Sequence, residues 1–162
     1  GPNVMLGYYN DPEATDNVFK KGWFYTGDLG YIDDDGFLYI TGRCKSVIVT
    51  QNGKNIYPEE IEYYLNASPL VKECIVLGVN YKGDKETYVN AKLLPDIEAF
   101  KEYLNKDDIS DTDIKKEFKK LISEVNKKLP NYKHIKDFKV VENEFEKTTT
   151  QKIKRFGNNL SM

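Results

Sequence analysis

The chain has 162 residues, enough for one domain or for a small domain joined to part of another. Hydrophobic residues make up 40% and charged residues 31%, proportions that suit a packed core beneath a polar surface. Lysine and arginine number 24 against 26 aspartates and glutamates, and the net charge of -2 excludes a general attraction to nucleic acid.

The cysteine and histidine content excludes further kinds of functional site. The two cysteines, Cys44 and Cys74, lack zinc spacing, which favours reduced thiols in a cytoplasmic protein. His134 is the single histidine, too few for a histidine-based metal site or a Ser-His-Asp triad, so we expect no metal ligands. Apolar runs fall far short of the ~20 residues of a membrane span. We therefore expect no transmembrane segment.

The start of the sequence suggests part of a longer protein. It begins at Gly1 without an initiator methionine, and it contains neither a signal-peptide pattern nor a Gly-rich phosphate loop. These features predict that the chain is one piece of a longer protein.

The first part of the chain predicts a helical turn and a β-hairpin. Asp11 before Pro12 predicts a helix that begins at Pro12. Residues 31–33 and 37–40 flank Asp34-Asp35-Gly36, which predicts a hairpin with a glycine of positive φ at its turn. The aspartates lack the spacing and the final glutamate of a calcium loop, so a solvated turn is the better interpretation.

The remaining residues alternate between strand and helix patterns. A second hairpin is predicted around residues 51–54, with a turn that contains Gly53, and Pro58 predicts the start of a helix. The later predictions are strands over 71–79, 87–94 and 134–141, a turn at Lys82-Gly83-Asp84, helices over 96–104 and 114–129, and a short helix after Thr150.

Three motifs occur in a set order along the chain. The run Gly22-Trp23-Phe24-Tyr25-Thr26-Gly27-Asp28-Leu29-Gly30 precedes the first hairpin, Gly42-Arg43 ends it, and Thr150-Gln151-Lys152-Ile153-Lys154-Arg155 lies near the C-terminus. Thr26-Gly27-Asp28 alone is ordinary turn chemistry. In this order, however, the motifs resemble the last signature motifs of the AMP-forming acyl-CoA synthetases, members of the adenylate-forming superfamily. The resemblance covers nearly the whole chain.

The resemblance and the element pattern together predict an α+β fold class. We expect a small C-terminal domain with a β-hairpin, a mixed or antiparallel sheet and packed helices, preceded by a β-rich edge of the larger N-terminal domain. The expected boundaries are 1–41 for that edge, 42–45 for a hinge, and 46–162 for the mobile C-terminal domain.

The resemblance implies that residues near the first hairpin bind the nucleoside of ATP. A carboxylate can accept two hydrogen bonds from a vicinal diol, and Asp28 stands where the family's aspartate holds the ribose. Arg43 is the arginine that also contacts the ribose, and Ile40 would pack against the nucleoside. Without the resemblance, Asp28 would be a turn cap, Arg43 a surface ion-pair residue and Ile40 an ordinary strand residue.

Lys152 matches the family's C-terminal lysine, which bridges the attacking carboxylate and the α-phosphate during adenylation. The alternative is that Lys147, Lys152 and Lys154 are ordinary lysines on a solvated tail. Similar enzymes usually carry glycine immediately before this lysine, whereas this chain has Gln151, which tolerates fewer backbone conformations. That departure favours the long-chain fatty acid branch.

Two further residues match positions that the family uses when its C-terminal domain turns from the adenylation state to the thioester-forming state. Lys45 lies two residues after Arg43, where the family places its hinge, and Gly53 lies in the turn that approaches the pantetheine arm of coenzyme A. A surface lysine and an ordinary turn glycine are the alternatives.

The implied function is an acid–CoA ligase. It would activate a carboxylic acid, of the fatty acid class by the resemblance, with ATP and Mg²⁺, and transfer the acyl group to coenzyme A. Most ATP and Mg²⁺ contacts would lie in the missing N-terminal domain, so the fragment alone should be inactive. Two alternatives stay open: an adenylation domain that loads an acyl or peptidyl carrier protein, and a non-catalytic binding module. Peripheral membrane association of the intact cytoplasmic enzyme also stays open.

Overall fold

The computed structural model describes residues 1–81 and 86–155 and divides the chain into two units, Gly1–Lys45 and Ser46–Met162. The predicted turn at Lys82-Gly83-Asp84 lies outside the described residues.

The first unit consists of one short helix and two β-hairpins. Helix α1 (Pro12–Val18) begins where the sequence predicts, and Asp11 Oδ1 accepts a hydrogen bond from the Ala14 N–H at 2.9 Å. The strands form two antiparallel pairs, β1 (Phe19–Lys20) with β2 (Trp23–Phe24) and β3 (Asp28–Ile32) with β4 (Leu38–Arg43).

The turn between β3 and β4 confirms the predicted hairpin. Gly36 has a φ of 87°. Asp33 Oδ1 accepts hydrogen bonds from the N–H groups of Asp35 at 3.1 Å and Phe37 at 2.8 Å. The aspartate therefore serves the turn itself, as a solvated turn requires.

The first unit has almost no core of its own. Among residues 1–45, all of which are described, Gly42 alone is buried. Large apolar side chains on β3 and β4 are exposed, including Tyr31, Ile32, Leu38 and Ile40. Contiguous exposed apolar surface of this kind usually belongs to an interface.

The second unit is an α+β domain built on a three-stranded mixed sheet. Its elements in chain order are β5 (Ile48–Val49), β6 (Asn55–Ile56), α2 (Pro58–Asn66), β7 (Val71–Asn80), β8 (Thr87–Pro95), α3 (Ile97–Leu104), α4 (Asp111–Lys128) and β9 (Ile135–Val140). Strand β8 is central, antiparallel to β7 and parallel to β9. Strands β5 and β6 form the second predicted hairpin. The predicted α+β fold class is confirmed.

The sheet of the second unit is buried on both faces. One face packs against the helices in the main core, which includes Ile61, Leu65, Val76, Ala91, Phe100 and Phe118. The other face presents Ile75, Leu77 and Leu94 to Phe145 and Ile153, residues of the segment that follows β9. That segment therefore supplies apolar side chains that the sheet needs to exclude water.

Element boundaries differ from the sequence prediction at two places. Helix α4 begins at Asp111 because Ser110 and Asp113 form a capping box, which the apolar spacing did not reveal. The short helix predicted after Thr150 is wrong for residues 150–155, where a turn and a β-bridge between Lys147 and Ile153 occur instead. No described helix combines the length and apolar character needed to cross a bilayer.

The two thiols should differ sharply in reactivity. Burial, together with the nearby Glu62 carboxylate, raises the pKa of Cys74 to about 12. Cys44, in contrast, is exposed. In the native chain at pH 8, a thiol-specific disulfide reagent should modify Cys44 rapidly and Cys74 only after unfolding.

Single cysteine variants show which thiol gives the rapid labelling and which gives the slow labelling. Cys44→Ser should abolish the rapid reaction, and Cys74→Ser should leave its rate unchanged. Rapid native labelling of the Cys44→Ser variant would contradict the buried placement of Cys74.

Candidate functional site

Asp28 and Arg43 meet across the β3–β4 hairpin. The strand register places them directly opposite each other. Arg43 Nε lies 2.8 Å from Asp28 Oδ1, with 55% of the arginine and 29% of the aspartate side chain exposed. An ion pair this exposed contributes little to stability. It does present a carboxylate beside a planar fork of donors, an arrangement able to bind a sugar diol.

The turn before Asp28 is fixed by its own hydrogen bonds. The Asp28 N–H donates to Thr26 Oγ1 at 3.1 Å, so threonine performs the capping for which Asp28 was the alternative candidate. Arg43 Nη1 donates to the Thr26 carbonyl at 3.4 Å, and the Cys44 N–H donates to the Gly27 carbonyl at 2.8 Å. The Thr26-Gly27-Asp28 turn is thus joined to the end of β4.

Gly30 sets the register that brings Asp28 to Arg43. The ladder shifts between Leu29 and Gly30, and a Cβ at Gly30 would lie 2.5 Å from the Tyr39 carbonyl oxygen. Only glycine permits that approach. Sequence reasoning missed this role, although a glycine inside a strand pattern was its signal. Ile40 lies opposite Gly30 and is 61% exposed.

Lys45 and Gly53 lie in turns. Lys45 is exposed in a single 3₁₀ turn, Cys44–Ser46, at the end of the first unit. Gly53 has a φ of 71°, its N–H donates to the Thr50 carbonyl at 2.9 Å, and open space surrounds the position of a Cβ. The turn conformation alone accounts for glycine at this position.

Lys152 lies in a tight hairpin loop, residues 146–154, which we call the lysine loop. A β-bridge joins Lys147 and Ile153 at its base. The Thr148 N–H donates to the Lys152 carbonyl at 2.8 Å, and the Lys152 N–H donates to Thr148 Oγ1 at 3.2 Å. Hydrogen bonds across the base therefore fix the backbone that carries Lys152.

The Lys152 side chain differs from the other basic side chains of the tail. Lys147 pairs with Glu73, Lys154 lies 3.8 Å from Glu146, and Arg155 pairs with Glu62. Lys152 is exposed, and its ammonium makes no ion pair or hydrogen bond with residues 1–81 or 86–155. The tail is thus not a uniformly solvated run of lysines, and Lys152 is the cation available to an anionic ligand.

Gln151 adopts the backbone conformation that glycine favours. Its φ is 61°, in the left-handed region, and its N–H donates to the Thr148 carbonyl at 2.9 Å. The left-handed conformation costs an L-residue about 1–2 kcal/mol of conformational free energy. The lysine loop therefore keeps a glycine-type turn despite the substitution.

Within the described residues, no group of three or more histidine, cysteine, aspartate or glutamate side chains is arranged to hold a metal ion. Asp28 and Arg43 form one constellation in the first unit, and Lys152 and Gly53 lie in the second.

The family described as the AMP-binding enzyme C-terminal domain matches residues 45–157. The chain belongs to this family. The resemblance drawn from the three motifs is confirmed, and the matched region covers residues 46–157 of the second unit, which include the lysine loop.

Relatives of this AMP-binding enzyme domain include acid–CoA ligases. The long-chain-fatty-acid–CoA ligase FadD15 of Mycobacterium tuberculosis is 35% identical over 96% of this chain and 28% of its own length. O-succinylbenzoate CoA synthetase (MenE) from Bacillus subtilis, solved with the acyl-adenylate intermediate OSB-AMP, is 31% identical with a TM-score of 0.72. The same enzyme solved with ATP and magnesium ion is 33% identical with a TM-score of 0.68.

Coverage defines which part of these enzymes the chain represents. Each MenE structure aligns with 94% of this chain and 28% of its own. The chain thus spans about 28% of the length of the ligases that it matches, FadD15 included, and corresponds to their C-terminal part.

The strain at Gln151 predicts how substitutions there change stability. Gln151→Val should lower the free energy of unfolding by about 1–2 kcal/mol, because a β-branched residue is disfavoured at positive φ. Gln151→Gly should change it by less than about 1 kcal/mol, since relief of strain offsets the entropy of glycine. Urea unfolding followed by circular dichroism measures both.

Gln51→Val is the matched control, because Gln51 is exposed in a turn and is not among the described residues with positive φ. It should change the free energy of unfolding by no more than about 0.5 kcal/mol. An equal loss in both valine variants would contradict a specific strain at Gln151.

Proposed function

We propose that this chain is the C-terminal part of an acid–CoA ligase that converts a carboxylic acid, of the fatty acid class, to an acyl adenylate with ATP and then to a thioester with coenzyme A. Family membership and the named activities of the relatives support the reaction class. The observation that carries the proposal is the exposed Lys152 ammonium, which has no ion-pair partner among residues 1–81 and 86–155, whereas Lys147, Lys154 and Arg155 each have one.

In the adenylation step, a carboxylate oxygen of the acid attacks the α-phosphorus of ATP, and the bond to the leaving pyrophosphate breaks. Negative charge from two anions converges at the reacting atoms, so a cation there lowers the barrier. Lys152 is a compact charge on a long, flexible stem, suited to reach that point. Its role is to hold the attacking carboxylate and the α-phosphate together.

Asp28 and Arg43 bind the ribose in this proposal. Within the described residues, Asp28 Oδ2 has no hydrogen-bond partner, so it is available to a hydroxyl group while Oδ1 remains paired with Arg43. Ile40 offers an exposed apolar side chain on the same hairpin for the nucleoside. The pair is preorganised by the β3–β4 register, which reduces the entropic cost of binding the sugar.

The proposed conformational cycle divides the chain at residues 42–45. Residues 1–41 would belong to the N-terminal adenylation domain and residues 46–162 to a mobile domain, with Lys45 in the hinge. The boundary between the two units immediately after Lys45 supports this division. In the thioester-forming state, the Gly53 turn would approach coenzyme A, and the open space around Gly53 supports that close approach.

The remaining components of the reaction are assigned to the preceding part of the enzyme. Mg²⁺ would be held there with the triphosphate, because the described residues lack a cluster of metal-binding side chains. Coenzyme A is favoured over a carrier protein as the acyl acceptor because the relatives are CoA ligases. The free thiols support a cytoplasmic location.

Removal of the Lys152 ammonium should separate the two half-reactions. In the intact ligase, Lys152→Ala should slow acid-dependent pyrophosphate release by about 100-fold or more, since a charge at the reacting phosphate is lost. Thioester formation from supplied acyl adenylate should remain within about threefold of wild type. Pyrophosphate release and thioester formation are measured separately.

Lys136→Ala is the matched control, because Lys136 is an exposed lysine on β9. It should leave both half-reactions unchanged. An unimpaired adenylation rate in Lys152→Ala, or an equal loss in both half-reactions, would refute the role assigned to Lys152.

Asp28→Asn should weaken the binding of ATP. Loss of a charged hydrogen-bond acceptor to the ribose should raise KM for ATP by about 10-fold or more, while KM for the acid stays within about twofold. Asp16→Asn, which alters an exposed carboxylate on α1, is the control. A change confined to the acid would refute the ribose assignment.

A further inference from the structure

The N-terminal side of the lysine loop is attached to strand β7. Lys147 forms ion pairs with Glu73 of β7 and with Glu144. The Phe145 N–H donates to Glu73 Oε2 at 3.2 Å, and the Phe145 side chain is buried against the sheet. The Glu73 carboxylate and the apolar packing of Phe145 therefore hold the chain where it enters the loop.

The C-terminal side of the loop is attached to helix α2. Arg155 Nη2 lies 2.5 Å from Glu62 Oε2 and 3.5 Å from Glu59 Oε1. Only 12% of the Glu62 side chain and 26% of the Arg155 side chain are exposed. A charge-assisted pair this protected from water is stronger and geometrically more specific than a surface pair.

The same two side chains cover the outer edge of β7. Glu62 Oε1 accepts a hydrogen bond from the Val76 N–H at 2.7 Å, and Arg155 Nη1 donates to the Val76 carbonyl at 3.5 Å. In an antiparallel ladder, alternate residues turn both backbone groups away from the partner strand. The carboxylate and the guanidinium thus replace the missing neighbouring strand at Val76.

The charges around Arg155 make it difficult to replace. Glu59 and Glu62 share one guanidinium, and Glu59 Oε2 is buried without a partner among the described residues. Burial raises the pKa of Glu62, whereas Arg155 opposes that rise. Loss of Arg155 would leave two carboxylates unpaired in a poorly solvated site and release the end of the lysine loop.

We propose that Arg155 is a positioning residue for adenylation: its pair with Glu62 fixes the C-terminal end of the lysine loop on α2 and β7, so that the Lys152 ammonium is presented in one direction. Lys147 is itself part of the bridge at the loop base and Arg155 lies two residues after Ile153, so little freedom remains once both ends are held. The inference rests on the catalytic function proposed for Lys152.

The test compares half-reactions in the intact ligase. Arg155→Met should slow pyrophosphate release at least 10-fold and leave thioester formation from supplied acyl adenylate within twofold. Arg155→Lys keeps the charge but not the bidentate fork, so it should give an intermediate adenylation rate. A fall of both half-reactions by the same factor, or no fall in either, overturns the proposal.

Lys133→Met is the matched control. Lys133 Nζ lies 2.6 Å from Glu60 Oε2, also on α2, and its side chain is well protected, yet the pair does not involve the lysine loop. Loss of this pair should leave the ratio of the two half-reactions within twofold of wild type. A ratio altered as strongly as in Arg155→Met overturns the proposal, because any ion pair on α2 would then have the same effect.

The double variant Glu62→Gln/Arg155→Met separates positioning from the burial of unpaired charge. It removes the guanidinium together with the charge of Glu62, the more buried of the two carboxylates, and glutamine can still accept from the Val76 N–H, so it should fold where Arg155→Met does not. Adenylation should stay at least 10-fold low because the anchor is absent. Recovery of the wild-type rate overturns the proposal.

Hydrogen exchange provides a readout independent of activity. The Thr148 and Gln151 N–H groups are bonded within the lysine loop, and they should exchange at least 10-fold faster in Arg155→Lys and in the double variant. Amides of β8 should be unchanged. Unchanged protection in the loop overturns the proposal.

Lys152→Ala distinguishes failure of the positioning role from failure of the proposed function. If Lys152→Ala blocks adenylation and Arg155→Met does not, the proposed function stands and the positioning role of Arg155 is refuted.

Discussion

The structure of the second unit depends on how strand β7 is covered. Its inner face packs against helices, its outer face needs Phe145 and Ile153, and its free edge at Val76 is occupied by Glu62 and Arg155. Each requirement follows from the cost of leaving apolar surface or backbone groups without partners. The C-terminal tail meets two of the three requirements. Stability of the sheet and placement of the lysine loop therefore depend on the same contacts.

The first unit, in contrast, is defined by local hydrogen bonds rather than by a buried core. Residues 1–45 bury almost nothing, yet their hydrogen bonds and the close approach at Gly30 define a regular hairpin. Local turn chemistry is enough to set the Asp28–Arg43 pair, whereas stability must come from apolar contacts on the exposed strands. The nucleotide site proposed for this hairpin would be formed by the register of two strands and supported by whatever covers them.

The sequence revealed what is encoded locally. Pro58, the Asp34-Asp35-Gly36 turn and the apolar spacing of α4 each predicted an element that the structure contains. The lysine loop was missed because its shape depends on distant partners: Glu73 and Glu62 precede it by many residues, and no local pattern signals either pair. Motif order indicated the candidate residues Asp28, Arg43 and Lys152. Their roles stay predictions, whereas the Arg155 anchor required coordinates.

The contrast between the two cysteines gives the unmodified chain a practical property. Cys44 follows Arg43 at the junction of the units, Cys74 is sealed inside the core, and Trp23 is the single tryptophan. A dye or spin label attached without any substitution would report from the junction alone, with an intrinsic fluorophore in the same unit as a fixed reference. Within this chain, motion at the proposed hinge could thus be followed without replacing either cysteine.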